Sequence, residues 1–159
     1  MKKIRKNITI EKAYAAAKII KKHGIVLQAF FIVGFPEETE QTLEDTIRAM
    51  KKIKCDVITY SIFTPYAGTE AFEFCKDKGL IGGDYDVSLY NHQSPANHFC
   101  MHIAPDRFRI KACEIERMVD RKNGKNRVKR MFSLTTFDMI KELGIARSIQ
   151  KGVQILSGR

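Results

Sequence analysis

The side chains best suited to chemistry gather in two short blocks, Gly34-Phe35-Pro36-Glu37-Glu38-Thr39 and Thr64-Pro65-Tyr66-Ala67-Gly68-Thr69. Each closes an apolar run that reads as a strand. In α/β proteins the ends of neighbouring parallel strands are where ligands bind, because backbone groups and loop side chains converge there. A second polar set lies within the runs themselves. Alternation along a strand separates Val26, Gln28, Phe30 and Ile32 from Leu27, Ala29, Phe31 and Val33, so Gln28 marks one face of the first run. In the second run Thr59, Ser61 and Phe63 alternate with Ile58, Tyr60 and Ile62, and the same logic turns Thr59 and Ser61 inward. Two strands with polar groups on an inner face suit a partial barrel around a ligand. The amide and hydroxyls would equally serve to satisfy one another or a buried water.

Metal-ligand residue types also occur. His98-x-Cys100-x-His102 on a strand would direct three ligands to one face, with His92 nearby, but this spacing matches no common four-ligand module. Ordinary hydrogen-bonded histidines are expected instead, and no metal site. His23, beside Gly24, reads as a cation at a helix C-terminus. The four cysteines, Cys55, Cys75, Cys100 and Cys113, form no close pair, which points to reduced thiols.

The elements that must carry these residues follow from periodicity. Thr9 caps a helix with Ile10, Ala13, Tyr14, Ala17 and Ile20 at helical spacing, and Gly24 ends it. Ile25 to Val33 then reads as a strand, apolar on both faces and so covered on both. A second helix, capped at Thr39 or Thr42, places Leu43, Ile47, Met50 and Ile53 on one side. A second strand runs from about Asp56 to Thr64, which completes a βαβ unit, and a third helix from Thr69 to Lys78 ends at Gly79. Tyr85 to His102 is irregular. A helix starting at Pro105 or Asp106 carries Phe108, Ala112, Ile115 and Val119 to about Lys122, where Asn123-Gly124 breaks it. Two further helices are expected around Thr136 to Leu143 and Ala146 to Leu156.

Length and composition fit one ordinary domain with an extension: 159 residues, 44% of them hydrophobic. The N-terminus lacks the apolar core of a signal peptide, and the longest apolar stretch, Ile25 to Val33, is far too short to span a bilayer. A soluble, cytoplasmic protein is therefore expected. The net charge of +10 is uneven, with 14 Lys and Arg against 6 Asp and Glu after residue 104, a net +8. A solvated helical face or a surface for further protein would account for it, and so would RNA bound through Arg121, Lys122, Lys125, Arg127, Lys129 and Arg130.

The string Phe30-Phe31-Ile32-Val33-Gly34-Phe35-Pro36-Glu37 resembles the fifth-strand motif G-x-I-x-G-x-x-E of radical S-adenosylmethionine enzymes, with Phe30 in place of the first glycine. Thr64-Pro65-Tyr66-Ala67-Gly68-Thr69 is similar to their sixth-strand region. The nearest branches are the B12-binding enzymes of the magnesium-protoporphyrin ester cyclase type and the methylthiotransferase and elongator relatives, whose Pro-Gly-Glu-Thr is Pro36-Glu37-Glu38-Thr39 here. Both blocks, in order and on consecutive strands, cover roughly residues 8–80.

The resemblance implies an α/β fold, the C-terminal portion of a (β/α)6 partial TIM barrel with two parallel strands and flanking helices over residues 1–80. A basic, mainly helical extension would follow over residues 81–159. It implies that Ile32 packs on the adenine of S-adenosylmethionine, that main-chain atoms of Phe63 and Thr64 meet its polar edge, and that Gly34 allows a tight turn beside the cofactor. Glu37 would fix the loop as a hydrogen-bond acceptor, and Tyr66 would wall the site or pack beneath it. The family reaction needs a [4Fe-4S] cluster on a C-x-x-x-C-x-x-C loop, which this sequence lacks. The nearest branch would add cobalamin. The chain is thus expected to act as a C-terminal piece, not catalytic alone, with either the N-terminal half of the core, a separate polypeptide carrying it, or a second copy covering its strand edge.

Overall fold

The computed structural model describes residues 8–89, 94, 97–131 and 153. His92 and the two helices expected after residue 135 lie outside the described residues, apart from Val153.

Local side-chain chemistry sets the helix starts. Thr9 accepts from the Lys12 N–H and opens α1, Ile10–Lys22, whose last turn leads into Gly24 at φ +71°. Thr39 and Thr42 form a reciprocal capping box at the head of α2, Glu40–Lys52. Thr69 accepts from the Phe72 N–H and opens α3, Glu70–Asp77. Between them run β1, Gln28–Val33, and β2, Val57–Ile62, paired in parallel with Gln28 opposite Val57 and Val33 opposite Ile62. Past a 3₁₀ turn at Val87–Leu89 comes α4, Pro105–Met131.

The two strands are backed on one face. Ala29, Val33, Ile58, Tyr60 and Ile62 of the sheet share one apolar cluster with Ala17 of α1, Leu43, Ile47 and Met50 of α2, and Phe108, Ala112, Ile115 and Val119 of α4. Helices α2 and α4 run side by side in the same direction, tied by ion pairs of Arg107 with Glu40 and Lys111 with Glu44. The Arg107–Glu40 pair is largely solvated and adds little to stability, whereas Lys111 is mostly covered. The chain is therefore α/β, with two parallel strands and four α-helices among the described residues.

Two expectations need correction. The first run is not covered on both faces: its strand begins only at Gln28, and Phe30 and Ile32 are 71% and 50% exposed while Ala29 and Val33 are buried. The apolar character of Phe30 and Ile32 has no counterpart inside the described residues. Nor does Asn123-Gly124 end the last helix, which continues to Met131. Tertiary contacts override the local preference there. The Asn123 side chain donates to the Ile58 carbonyl and accepts from the Ile58 N–H, both at 2.8 Å, and Asn126 donates to the carbonyls of Cys55 and Asp56. Lys122 Nζ donates to the carbonyls of Met50, Lys51 and Ile53, which are the free acceptors at the C-terminal end of α2. That stretch of helix is held by three side chains facing inward.

The Asn123 contact also defines the sheet. Ile58 turns its backbone polar groups away from β1 and meets an amide side chain where a further strand would lie. On the other side, Leu27 and Val33 direct their carbonyls to β2, so Gln28, Phe30 and Ile32 direct their backbone groups to the outer edge of β1. No helix or strand among the described residues bonds to that edge.

Candidate functional site

The open face of the sheet carries the polar set expected from alternation. Phe30 stands opposite Thr59 and Ile32 opposite Ser61, and partners in register project to the same side. Gln28 Nε2 donates to Thr59 Oγ1 at 2.7 Å, so the amide and hydroxyl join across the strands. Gln28, Phe30 and Ile32 are exposed, Thr59 and Ser61 half-buried. The structure thus brings together two apolar side chains and three polar ones on a single uncovered surface. Such a mixture can hold a planar apolar ring edge-on to hydroxyl and amide groups.

At the C-terminal rim of this face the backbone turns at Gly34, φ +86°. A Cβ there would lie 2.9 Å from Phe108 Cζ and 3.3 Å from Ile62 Cγ2, so glycine is required twice, by the dihedral and by the ring of α4 beneath it. Besides the tight turn, the structure gives this residue a packing role that the sequence did not show. The loop is fixed by Glu38, which is buried and whose carboxylate accepts from the Gly34 N–H. Burial raises the Glu38 pKa, and the N–H groups of Gly34 and Phe35 pull it partly back. Glu37, the residue expected to fix the loop, is exposed instead. The carboxylate seen on the Gly34 N–H is thus that of the next residue, Glu38.

Phe63 sits just past β2, with its N–H donating to the Val33 carbonyl at 2.7 Å. Its ring is buried against Phe35, centroids 5.0 Å apart, and meets Phe99 edge-on at 6.1 Å. Tyr85 continues the cluster and donates its hydroxyl to the Pro65 carbonyl at 2.8 Å. Met101 N–H donates to the Pro36 carbonyl, so the segment after residue 97 is pinned across both strand-end loops. The irregular stretch thus builds the wall of the rim, a role that no periodicity announced. Thr64 is buried with its hydroxyl on the Ile62 carbonyl, and Tyr66 is 46% exposed at the edge of the same rim. The peptide joining Phe63 and Thr64 is trans, so its C=O and N–H point in opposite directions. One of these groups, not both, can meet a given ligand edge.

The remaining candidates do not converge. His98 Nε2 lies 2.7 Å from the Ile103 carbonyl and its ring packs edge-on against Phe108. His102 is exposed, and Cys100 is buried, its thiol pushed up to about 12 by burial and by the nearby Glu38. The segment is no strand, so alternate residues do not share a face. Among the described residues no three His, Cys, Asp or Glu side chains gather as a metal site, and the free cysteines sit on separate elements.

A parallel βαβ unit with a glycine turn and a walled rim at its strand ends has the arrangement at which α/β proteins commonly bind ligands. Over about half its length this chain is homologous to radical S-adenosylmethionine enzymes. It is 38% identical over 78 residues to an uncharacterized methyltransferase of Pyrococcus horikoshii, covering 49% of this chain and 17% of the relative. It is 33% identical over 92 residues to the anaerobic magnesium-protoporphyrin IX monomethyl ester cyclase of Rubrivivax gelatinosus, 58% of this chain and 16% of that protein. It is 32% identical over 79 residues to the tRNA-2-methylthio-N(6)-dimethylallyladenosine synthase of Thermosipho africanus, 48% of this chain and 18% of that enzyme. The matched part spans about one sixth of the length of these relatives. No family model matches the chain, and no solved structure does. No helix among the described residues is long and apolar enough to cross a membrane.

Proposed function

We propose that these residues form the closing end of a radical S-adenosylmethionine partial barrel, the C-terminal portion of a (β/α)6 architecture, and supply its adenosine-holding rim. The observation that carries this reading is the asymmetry of the sheet. One face is backed by three helices, the other bears exposed Phe30 and Ile32 beside Gln28, Thr59 and Ser61, and among the described residues the outer edge of β1 is unpaired. Apolar side chains exposed on an inner strand face make sense when further strands curve round to enclose them. Those strands, from sequence outside these residues or from a separate polypeptide, would pair with the outer edge of β1.

In this reading Ile32 offers the apolar surface for an adenine ring, Gly34 and Glu38 hold the loop rigid beside it, and one group of the Phe63–Thr64 peptide reads its edge. Gln28, Thr59 and Ser61 face the enclosed space where a substrate would lie. The cysteines do not fit an iron–sulfur cluster, since Cys55, Cys75 and Cys100 are buried in separate parts of the chain, Cys113 is half-buried on α4, and no three metal-ligating side chains gather among the described residues. Cluster ligation, and with it the reductive cleavage of S-adenosylmethionine in the parent enzyme, would fall to residues elsewhere. Cobalamin would belong to the parent on the same terms. The protein is taken to be cytoplasmic, with its thiols reduced.

Titrating ¹⁵N-labelled protein with S-adenosylhomocysteine, followed by amide chemical shifts, tests the rim. Shifts confined to Ile32, Gly34 and residues 63–66 are expected, at millimolar affinity because half the site is open. No shifts at ten millimolar, or shifts centred on α4, would overturn it. Anaerobic reconstitution of this chain alone with iron and sulfide is expected to give neither cluster absorbance nor 5′-deoxyadenosine, and production of either by this chain alone would refute the division of labour.

A further inference from the structure

Helix α4 devotes much of its circumference to the fold. Phe108, Ala112, Ile115 and Val119 are buried, Lys122, Asn123 and Asn126 bond to α2 and β2, and Glu116 and Asp120 lie near the Tyr60 hydroxyl in a groove beside β2. This leaves a row of exposed cations at every fourth position: Arg117, Arg121, Lys125 and Lys129. None of the four has a side-chain hydrogen bond or ion pair among the described residues, whereas Lys122, which composition groups with them, is consumed internally. The basic set read from sequence alone is therefore redrawn, losing Lys122 and the half-buried Arg127 and Arg130 and gaining Arg117.

Like charges four apart on a helix repel one another, so the three successive pairs weaken the helix unless something anionic lies along them. At about 1.5 Å per residue the row spans about 18 Å in steps of about 6 Å. Each step of four residues also turns about 40° around the axis, so the row is a ridge winding through about 120°, and an evenly stepped, curved ridge of cations suits the repeating charge of a flexible polyanion better than the compact patch of a protein partner. Val128 is the single exposed large apolar side chain between residues 117 and 129, too little for a protein hot spot or for insertion into a lipid surface. The opposite side of α4 is packed on α2 and β2, so only the ridge is presented, and a flexible single strand can follow its turn around the helix where a stiff duplex would meet only part of it.

We propose that Arg117, Arg121, Lys125 and Lys129 form a binding row for the phosphate backbone of single-stranded RNA. The contact is to phosphates alone, so it positions a strand without reading its sequence. It rests on α4 and is independent of the barrel reading.

Fluorescence anisotropy with a labelled mixed-sequence 20-nucleotide RNA, from 50 to 300 mM salt, tests it on the full chain. Four phosphate contacts predict a slope of log affinity against log salt of about −2.8. The variant R117Q/R121Q/K125Q/K129Q is expected to lose the slope and to bind at least 100-fold more weakly at 50 mM salt. The control K12Q/K18Q/K22Q/K76Q removes the same charge from other exposed positions and is expected to keep both. Should the quadruple variant fail to fold, R121Q/K125Q halves the slope. Equal loss in variant and control, no RNA binding at 50 mM salt, or equal affinity for duplex DNA or phosphatidylserine vesicles would overturn the proposal.

Discussion

Replacing Gly34 with alanine tests whether the motif glycine is held by packing as well as by its turn. The residue sits at φ +86°, where an L side chain is strained by about 1–2 kcal/mol. The new methyl would lie 2.9 Å and 3.4 Å from two atoms of the Phe108 ring, which is fully buried and cannot swing aside. Overpacking of this kind costs about 1–3 kcal/mol. Alanine also narrows the unfolded ensemble, which returns about 0.4–1 kcal/mol. The expected net loss is about 2–4 kcal/mol, read by urea unfolding followed by circular dichroism, with chevron-free equilibrium curves compared at constant slope. The structural argument is isolated by repeating the change in a Phe108→Leu background, where the two clashing ring atoms no longer exist. There the loss should shrink to the dihedral part, leaving a coupling of about 1–3 kcal/mol between the two sites. A loss below about 1 kcal/mol, or the same loss in both backgrounds, would refute the close approach of α4 to the rim.

Asn123→Leu strips the Ile58 N–H and C=O of their partners; a destabilisation of about 1–3 kcal/mol and faster exchange of the Ile58 amide are expected, and unchanged protection would contradict the contact. Glu38 has its folded pKa raised above the ordinary 4.5, so the folded state holds that proton more tightly. The resulting stabilisation is complete below about pH 4.5 and is lost as pH rises through the folded value. Glu38→Gln should flatten the dependence of Tm on pH above 4.5, and a slope as steep as that of the native protein would assign the titration to another group. Cys100, with its thiol pushed up to about 12, carries about 10⁻⁴ thiolate at pH 8. Mass spectrometry after brief thiol labelling should find half-buried Cys113 modified first, with Cys55, Cys75 and Cys100 reacting only on unfolding; early labelling of Cys100 would mean its burial is misjudged.

What could be read from sequence was local. Thr9, Thr39 and Thr69 announce their helices because a threonine hydroxyl bonds to an N–H three residues on, and Gln28, Thr59 and Ser61 fall on one face because a strand has period two. The misreadings share a different cause, the action of distant chain. Phe30 and Ile32 look buried because their apolar character anticipates a contact that the described residues do not make. Asn123-Gly124 looks like a stop, yet its asparagine is spent on Ile58, 65 positions earlier. Glu37 and Glu38 are chemically equal neighbours, so composition could not say that Glu38 is the one on the Gly34 N–H. The wall made by Tyr85 and Phe99 had no pattern to reveal it, since irregular segments carry no period.

The placement of Asn123 against Ile58 also limits how copies of this protein could polymerise. A sheet whose two margins are both bare can add units head to tail without end, which is the route to fibres. Here Asn123 of α4 already holds the outward N–H and C=O of Ile58 at the β2 margin, so the β1 margin, bare among the described residues, finds no matching bare margin on the next copy. Two copies could meet only bare margin to bare margin, about a two-fold axis, and that union uses up both. Self-association through the sheet is therefore self-terminating, and an exposed strand that would ordinarily invite aggregation is left able to make one partnership and then stop.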